Sequence, residues 1–587
     1  MIDSVKRRFV YYSIDVILDD SRVPLIVALL AIGGIILSGY TTGLFYPWTI
    51  TVFFVSMAIL VVLALKGCPL FGVVTGGVLV GVGYRLYFIF HAPGGVGMSP
   101  HGYPSRINSI ATAGDLSAVG GYYANVGGAP FQDLLYTSFV VLAGVDGFYS
   151  FVLYPVLIAL IYPLFALGSF RALDITDHRI QAVSAILVLV TTEGLRRAYW
   201  PRNQVIAMFF FVLAIYVLLK YIRTPTRQFF FLIAGFSVSM AFSHRLPLAV
   251  FSFVLLVLLI LYLTERITWN NLSEFSPTQQ LSSLFVFIFV LTWAQMIYLG
   301  QTVDHLISRI YRILGQFGDD GVDLQSTGGE SEATAATEAL PGIIANFYEY
   351  PSALTLFIER GHGVWILLVA GGAWAYLYFF MRDERHREQV LVILAVSSGC
   401  VALTFLGVIS IRGMNPTRPL HLIEPILVVI VAVAIWHTGA LDRPRVIQVA
   451  VGLVLALLIA SQVFSMAAAP DYANSPRYYS DVSEATAKTT ICDYSPETVY
   501  VDREMSLFRG IDGSSCSVEQ FDADDDGALF NAEINPSDHP AVVYRQNVDV
   551  YHGRFDRYRL TWDPATELES EYHTVYDNGN VVLFSRE

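Results

Sequence analysis

Long apolar stretches with short polar punctuation fill the chain to about residue 468, and a different pattern follows. A membrane-crossing helix needs about 20 predominantly apolar residues. Stretches near that length occur at 23–42, 47–65, 69–90, 148–169, 180–196, 203–219, 228–243, 246–263, 281–300, 363–380, 389–410, 420–437 and 446–466. They predict an α-helical polytopic membrane protein with about 13 spans. In the remainder, AVVYRQ (541–546), YRLTW (558–562) and NVVLFSR (580–586) alternate with the period of a strand, and DNG (577–579) marks a tight turn. A unit of about 115 residues can bury its own core. The reading is a two-helix segment at 1–68, a membrane core at 69–467 with polar loops at 91–147 and 301–362, and a small C-terminal α/β domain at 468–587.

Orientation follows from positive charge. Lys6, Arg7 and Arg8 precede the first span and place the N-terminus in the cytoplasm. The segment 131–143 (FQDLLYTSFVVLA) decides the rest, because counting it as a span reverses every later loop. Its 13 residues are too few to cross, so it is read as a re-entrant or interfacial helix. The basic or mixed loops 170–179, 220–227, 381–388 and 438–445 then lie inside. The loops 91–147, 197–202, 244–245, 301–362 and 411–419, with the C-terminal domain, lie outside. No removable signal peptide is read after the first apolar run, and the acidic, small-residue stretch 319–339 has the composition of a mobile segment.

Composition sharpens this division. Of the 587 residues 55% are hydrophobic and 14% charged, against roughly 25% charged in soluble domains. The formal charge of −13 resides in residues 471–587, which hold 23 acidic and 9 basic side chains; the rest is close to neutral. No basic stripe of the kind that neutralises nucleic-acid phosphates is present, so a nucleic-acid partner is excluded. Only Lys6, Lys66, Lys220 and Lys488 are lysine among 36 basic residues, and this lysine-poor, acidic composition resembles that of haloarchaeal proteins. Cys492 and Cys516 share the external domain, where an oxidising environment favours a disulfide between them.

The outward end carries an unusual number of cations. Arg196, Arg197 and Arg202 follow one span, His244 and Arg245 turn a hairpin, and Arg412 and Arg418 flank a later loop that leads to His421 and Glu424. Cations there run against the positive-inside bias, which calls for an anionic ligand or lipid headgroup. A lipid-linked phosphate or pyrophosphate fits, because arginine grips phosphate oxygens bidentately; the alternative partners are membrane lipid and the acidic tail. The carboxylates on that side include Asp115, Asp133, Asp146 and Glu193. Asp115 is placed to cap a turn after Gly114, Asp133 to face water on the interfacial helix, and Glu193 to pair with Arg196 or Arg197.

Four stretches resemble the membrane-embedded GT-C glycosyltransferases that use polyprenyl-phosphate sugars, among them the dolichyl-phosphate-mannose and aminoarabinose transferases and their archaeal relatives. They are YPSRINSIATAGDL (103–116), GAPFQDLLYTSFVVLAGVDGFYSFVLYPVLIALIYPLFAL (128–167), YWPRNQVIAMFFFVLAIYVLLKYIR (199–223) and AFSHRLPLAVFSFVLLVL (241–258). The ending YDNGNVVLFSR (576–586) also looks like the terminal domain of archaeal members. The resemblance implies inverting sugar transfer from a polyprenyl-phosphate donor, at the outer membrane face, to a glycan or glycoprotein acceptor. It also implies a catalytic Asp about eight residues before Ile107, where this chain has Ser99, and no carboxylate lies between Phe90 and Gly114. Asp115, Glu193 or His101 takes that role, or the chain is a catalytically silent member that binds lipid-linked glycan; a transporter is a third reading.

Asp522, Asp524 and Asp526, with Gly527 and Glu533, have the spacing of a calcium loop, so calcium is the one divalent metal the chain suggests. Against it, Phe530 takes the ninth position of that loop, and Pro536 and Pro540 would cut short an exit helix. The topology makes a direct prediction. A cysteine probe placed at residue 475 is tagged by a membrane-impermeant reagent from outside and one at 224 is not; tagging at 224 overturns the assignment of 131–143.

Overall fold

A computed structural model describes residues 22–42, 47–91, 102–119, 130–191, 195, 203–263, 277–298, 343–345, 353–381, 390, 392–394, 396–398, 417–468, 498–501, 518–520, 534, 537–546, 551–552, 557–560 and 564–586, with scattered positions between 484 and 494. The apolar runs become α1 (Arg22–Thr42), α2 (Pro47–Leu65) and α3 (Leu70–His91). Two short helices follow, α4 (Gly102–Ala113) and α5 (Phe131–Ala143), and then α6 (Leu153–Ala172) and α7 (His178–Leu187). The membrane part continues with α8 (Asn203–Arg223), α9 (Arg227–Ala241), α10 (Arg245–Leu263), α11 (Pro277–Tyr298), α12 (Ala353–Phe380), α13 (Thr417–His437) and α14 (Arg445–Ala468). Five stretches within these are long and apolar enough to cross a membrane: Trp48–Leu65, Leu70–Tyr87, Tyr149–Ala172, Ile206–Arg223 and Val446–Val463. Seven more apolar helical stretches of 10–17 residues accompany them among the described residues.

The count of about 13 spans is therefore not reached among the described residues, and two elements depart from their predicted extents. The run 180–196 does not form one continuous helix. α7 stops at Leu187 and the chain passes through a turn at 188–191. In the other direction, α12 begins ten residues before the apolar stretch at 363–380, because Glu359, Arg360 and His362 continue the helix although they end the apolar run. Of 389–410, only positions up to 398 are described.

Side-chain pairing sorts the loops by end. Arg223 pairs with Asp174, while Arg179 reaches Asp177 at 3.0 Å and Asp442 at 3.0 Å. These contacts join 170–179, 220–227 and 438–445, which positive charge assigns to one side. At the other end the Phe131 N–H donates to the Phe242 carbonyl at 3.2 Å. Arg106 and Asn108, half a turn apart on α4, reach Asp133 in the first turn of α5 and Asp146 beyond its last. α5 thus begins and ends at one end of the bundle, about 30 Å along α6 from Asp174 at 1.5 Å per residue.

The C-terminal part builds a five-stranded mixed sheet from β2 (Val499–Val501), β3 (Val518–Gln520), β4 (Ala541–Arg545), β7 (His573–Asp577) and β8 (Val581–Ser585), in the order β3-β2-β4-β8-β7. Alternation puts Val499, Val501, Ala541, Val543, Val581 and Leu583 into one core, as a two-residue period requires. A helix, α15 (Pro564–Glu571), precedes β7, and the turn predicted at 577–579 joins β7 to β8. The predicted strand around Tyr558 lies outside this sheet. As β6 (Arg557–Leu560) it pairs with β5 (Tyr551–His552) on one side and on the other with β1 (Ile343–Ala345), which belongs to the loop 301–362. Ile343 faces Leu560, Ile344 faces Arg559 and Ala345 faces Tyr558. Backbone pairing needs both strands on the same side of the membrane. Cysteines at Ile344 and Arg559 are therefore expected to cross-link efficiently, and one at Ile344 with one at residue 224 not at all. The reverse result overturns the shared compartment.

Candidate functional site

The Phe242 hairpin, α4 and α5 meet at one end of the bundle. α4 (GYPSRINSIATA) buries Ile107 and Ile110, one turn apart, and this turns Arg106 toward α5. α5 has inverted polarity. Gln132, Asp133, Tyr136 and Thr137 are buried, while Leu134, Val141 and Leu142 are exposed, Leu142 at 87%. Such a helix suits an apolar surrounding on its outer face and keeps its polar groups against protein.

The sequence reading set Asp133 facing water, and the structure corrects it. The carboxylate is 1% exposed and accepts from Arg106 Nε at 3.1 Å. A carboxylate on the protein side of an apolar helix has to be paired, and Arg106 is the partner that α4 delivers. Asn108 is the second link. Its amide nitrogen donates to Asp146 at 2.9 Å and its oxygen accepts from the Gly147 N–H at 2.8 Å. Gly147 is needed there, because a Cβ would sit 2.7 Å from the Pro104 carbonyl and 2.8 Å from the Asn108 oxygen. Neither Arg106 nor Asn108 was singled out from sequence, and the available signal was their position beside Ile107 in the 103–116 stretch.

The hairpin after α9 carries two predicted residues. His244 Nδ1 accepts from the Leu246 N–H at 3.2 Å and so caps α10, which begins at Arg245. The Gln295 side chain donates to the Ala241 carbonyl and ties α11 to the same turn. Arg418 occupies the first turn of α13. Arginine in the first turn of a helix adds its charge to the positive end of the helix dipole, an arrangement that favours an anion. Asp115 is fully exposed and, as predicted, organises the turn after Gly114 by accepting from the backbone N–H of Ser117 at 2.7 Å and from its hydroxyl. That hydroxyl and N–H hold the Asp115 carboxyl below the usual carboxylate range. His101, Glu193, Arg196, Arg197, Arg202 and Arg412 lie outside the described residues, as do Cys492, Cys516, Asp522, Asp524, Asp526 and Glu533. Among the described residues no cluster of three or more His, Cys, Asp or Glu side chains is placed to hold a metal ion. What the fold brings together is the start of α5, with Asp133, and the hairpin that leads into Arg245.

The ion pair has a measurable consequence. Asp133→Asn leaves Arg106 without its counter-charge and is expected to destabilise the folded chain by about 3 kcal/mol. The double change Asp133→Leu with Arg106→Met removes both charges and is expected to restore most of that loss. Thermal unfolding in detergent measures both, and equal stability of Asp133→Asn and the parent rejects the pairing.

No family model matches the chain, and no curated protein matches it in sequence. Solved structures do match in three dimensions. The Archaeoglobus fulgidus oligosaccharyltransferase in its apo form superposes with a TM-score of 0.51 at 12% identity, over 83% of this chain and 70% of that one. The same enzyme, AglB, in complex with an inhibitory peptide and a dolichol-phosphate gives 0.52 at 12% identity, over 82% and 70%. ArnT from Cupriavidus metallidurans aligns over 87% of this chain and 98% of its own, at 12% identity and a TM-score of 0.47. The chain has the fold of the Archaeoglobus fulgidus oligosaccharyltransferase, in keeping with the GT-C fold that its sequence resembles.

Proposed function

We infer that the chain transfers a sugar from a polyprenyl-phosphate donor to a protein- or lipid-linked glycan acceptor, with inversion, at the outer face of the plasma membrane. The observation that carries this reading is the GT-C fold together with arginines heading α10 and α13. AglB with the same fold is known in complex with a dolichol-phosphate and a peptide. In the proposed orientation the N-terminus is cytoplasmic and the C-terminal domain external.

The donor's phosphate would be gripped by Arg245 and Arg418, with Arg196, Arg197, Arg202 and Arg412 completing the set. The acceptor's nucleophilic oxygen attacks the anomeric carbon from the face opposite the phosphate. Its proton passes to a base, the bond from the anomeric carbon to the phosphate oxygen breaks, and the lipid phosphate leaves with the electron pair. Guanidinium groups stabilise the negative charge that develops on that phosphate. Asp115 is the candidate base in the described part, and Glu193 and His101 are the others. His244 acts through the backbone, by holding the start of α10 where Arg245 begins it.

One observation favours the silent, glycan-binding alternative. Three outer carboxylates are already engaged: Asp133 with Arg106, Asp146 with Asn108 and Asp115 with Ser117. Glycan analysis of a deletion strain separates the readings, since an enzyme's loss removes a sugar that a binder's loss leaves in place.

The double change Arg245→Ala with Arg412→Ala is expected to weaken binding of polyprenyl phosphate in nanodiscs by about 10- to 100-fold, the loss of one charge-assisted contact or more. Lysine at either position restores part of it, because an ammonium lacks the bidentate fork. Unchanged glycosylation in the double variant at normal expression overturns the phosphate site. Deleting 470–587 with the same effect as the alanine changes assigns these arginines to the acidic domain.

A further inference from the structure

An arginine buried inside the bundle makes a hydrogen bond to a residue 104 positions further along the chain. Arg85 in α3 is 0% exposed. Its Nη1 donates to the Gly81 carbonyl at 3.0 Å, and its Nη2 donates to the Leu189 carbonyl at 2.8 Å, 104 residues away. Gly81 makes room for the guanidinium, since a Cβ there would stand 3.0 Å from Nη1. Leu189 lies in the turn where the predicted span 180–196 breaks, just beyond the end of α7. The last carbonyls of a helix have no partner within it, and in an apolar surrounding each unsatisfied one is costly. Arg85 supplies a donor to one carbonyl at this point.

A buried acid accompanies it. Glu424 in α13 is 2% exposed and precedes Pro425, which has no N–H to give the helix. α13 packs on both α6 and α7, and Tyr162 of α6 is fully buried. Tyr162 in turn donates to Met208 Sδ of α8 at 3.2 Å. Glu424 lies about 10 Å inside the start of α13 and Arg85 about 9 Å inside the end of α3, at 1.5 Å per residue. The two therefore sit at similar depths within their own helices. Arg196 follows Leu189 by seven positions, and Glu424 follows Arg418 by six.

We propose that Arg85 is a positioning residue for the donor site, with Glu424 as its counter-charge: its hydrogen bond to Leu189 fixes the break in the span just ahead of Arg196, Arg197 and Arg202 in the sequence. Arg85 touches no substrate in this scheme. The proposal rests on the donor-phosphate reading above, and two readouts keep the claims separate. Hydrogen–deuterium exchange at 188–191 reports the break itself. Binding of polyprenyl phosphate in nanodiscs reports its effect on the site.

Arg85→Met is expected to raise exchange at 188–191 and weaken polyprenyl phosphate binding about tenfold, with Arg85→Lys intermediate in both. The double change Arg85→Met with Glu424→Leu removes the buried charges together and should recover the folded yield, while exchange at 188–191 stays raised and binding stays weak. A double variant that binds as tightly as the parent overturns the positioning role, and so does unchanged exchange in Arg85→Met. A parent chain that binds no polyprenyl phosphate removes the donor reading instead, and the exchange measurement then still decides whether Arg85 holds the break.

Discussion

The membrane part is organised by the requirement that polar groups remote from water find partners inside the protein. A continuous helix meets it automatically, and the chain departs from continuity where side chains can substitute. At 188–191 the helix stops and the Arg85 guanidinium takes over one carbonyl. At the far end of α9 the Gln295 amide does the same for Ala241. At the start of α10 the His244 ring accepts one of the first N–H groups. Each substitution joins elements distant in sequence, so backbone satisfaction also serves as tertiary glue.

The cluster of α4 and α5 obeys the same rule. α4 and α5 are too short to cross, and what holds them together is polar: Arg106 on Asp133, and Asn108 on Asp146 and Gly147. An ion pair this dry adds little net stability over an apolar pair of equal volume, yet breaking one side is expensive. Its effect is to select a single arrangement of the two helices. The Phe131 N–H on Phe242 then sets that arrangement against the hairpin that carries His244 and Arg245.

Much of this architecture was legible along the chain, for identifiable reasons. α2, α3 and α8 match their apolar runs because length and composition are enough to specify a buried helix. The turn at Asp115 was legible because an aspartate just after a glycine satisfies its own backbone locally. The break after Leu187 was not, because the sequence there stays apolar through Val190 and its compensation comes from Arg85, 104 residues earlier. Arg85 itself was visible as a charge within an apolar run and went unused. The burial of Asp133 was hidden likewise, since its partner is 27 residues away and the exposed apolar face of α5 looks from sequence like a buried one. In the C-terminal part, alternation located β4 and β8 but could not reveal that β6 pairs with three residues of a remote loop.

That last pairing imposes an order of events on biosynthesis. β1 precedes β6 by more than 200 residues, and between them lie the helices α12, α13 and α14. A ribosome adds roughly 5–20 residues per second, so β1 waits on the order of 10–40 s before its partner strand exists. Through that interval its backbone edge is open, the kind of edge that recruits other extended chains. The three intervening helices must be placed and the C-terminal strands brought to β1 before the ladder can close. Completion of the three-stranded sheet thus records that α12, α13 and α14 have been made and placed, and a chain stalled in α13 or α14 would carry an unpaired strand.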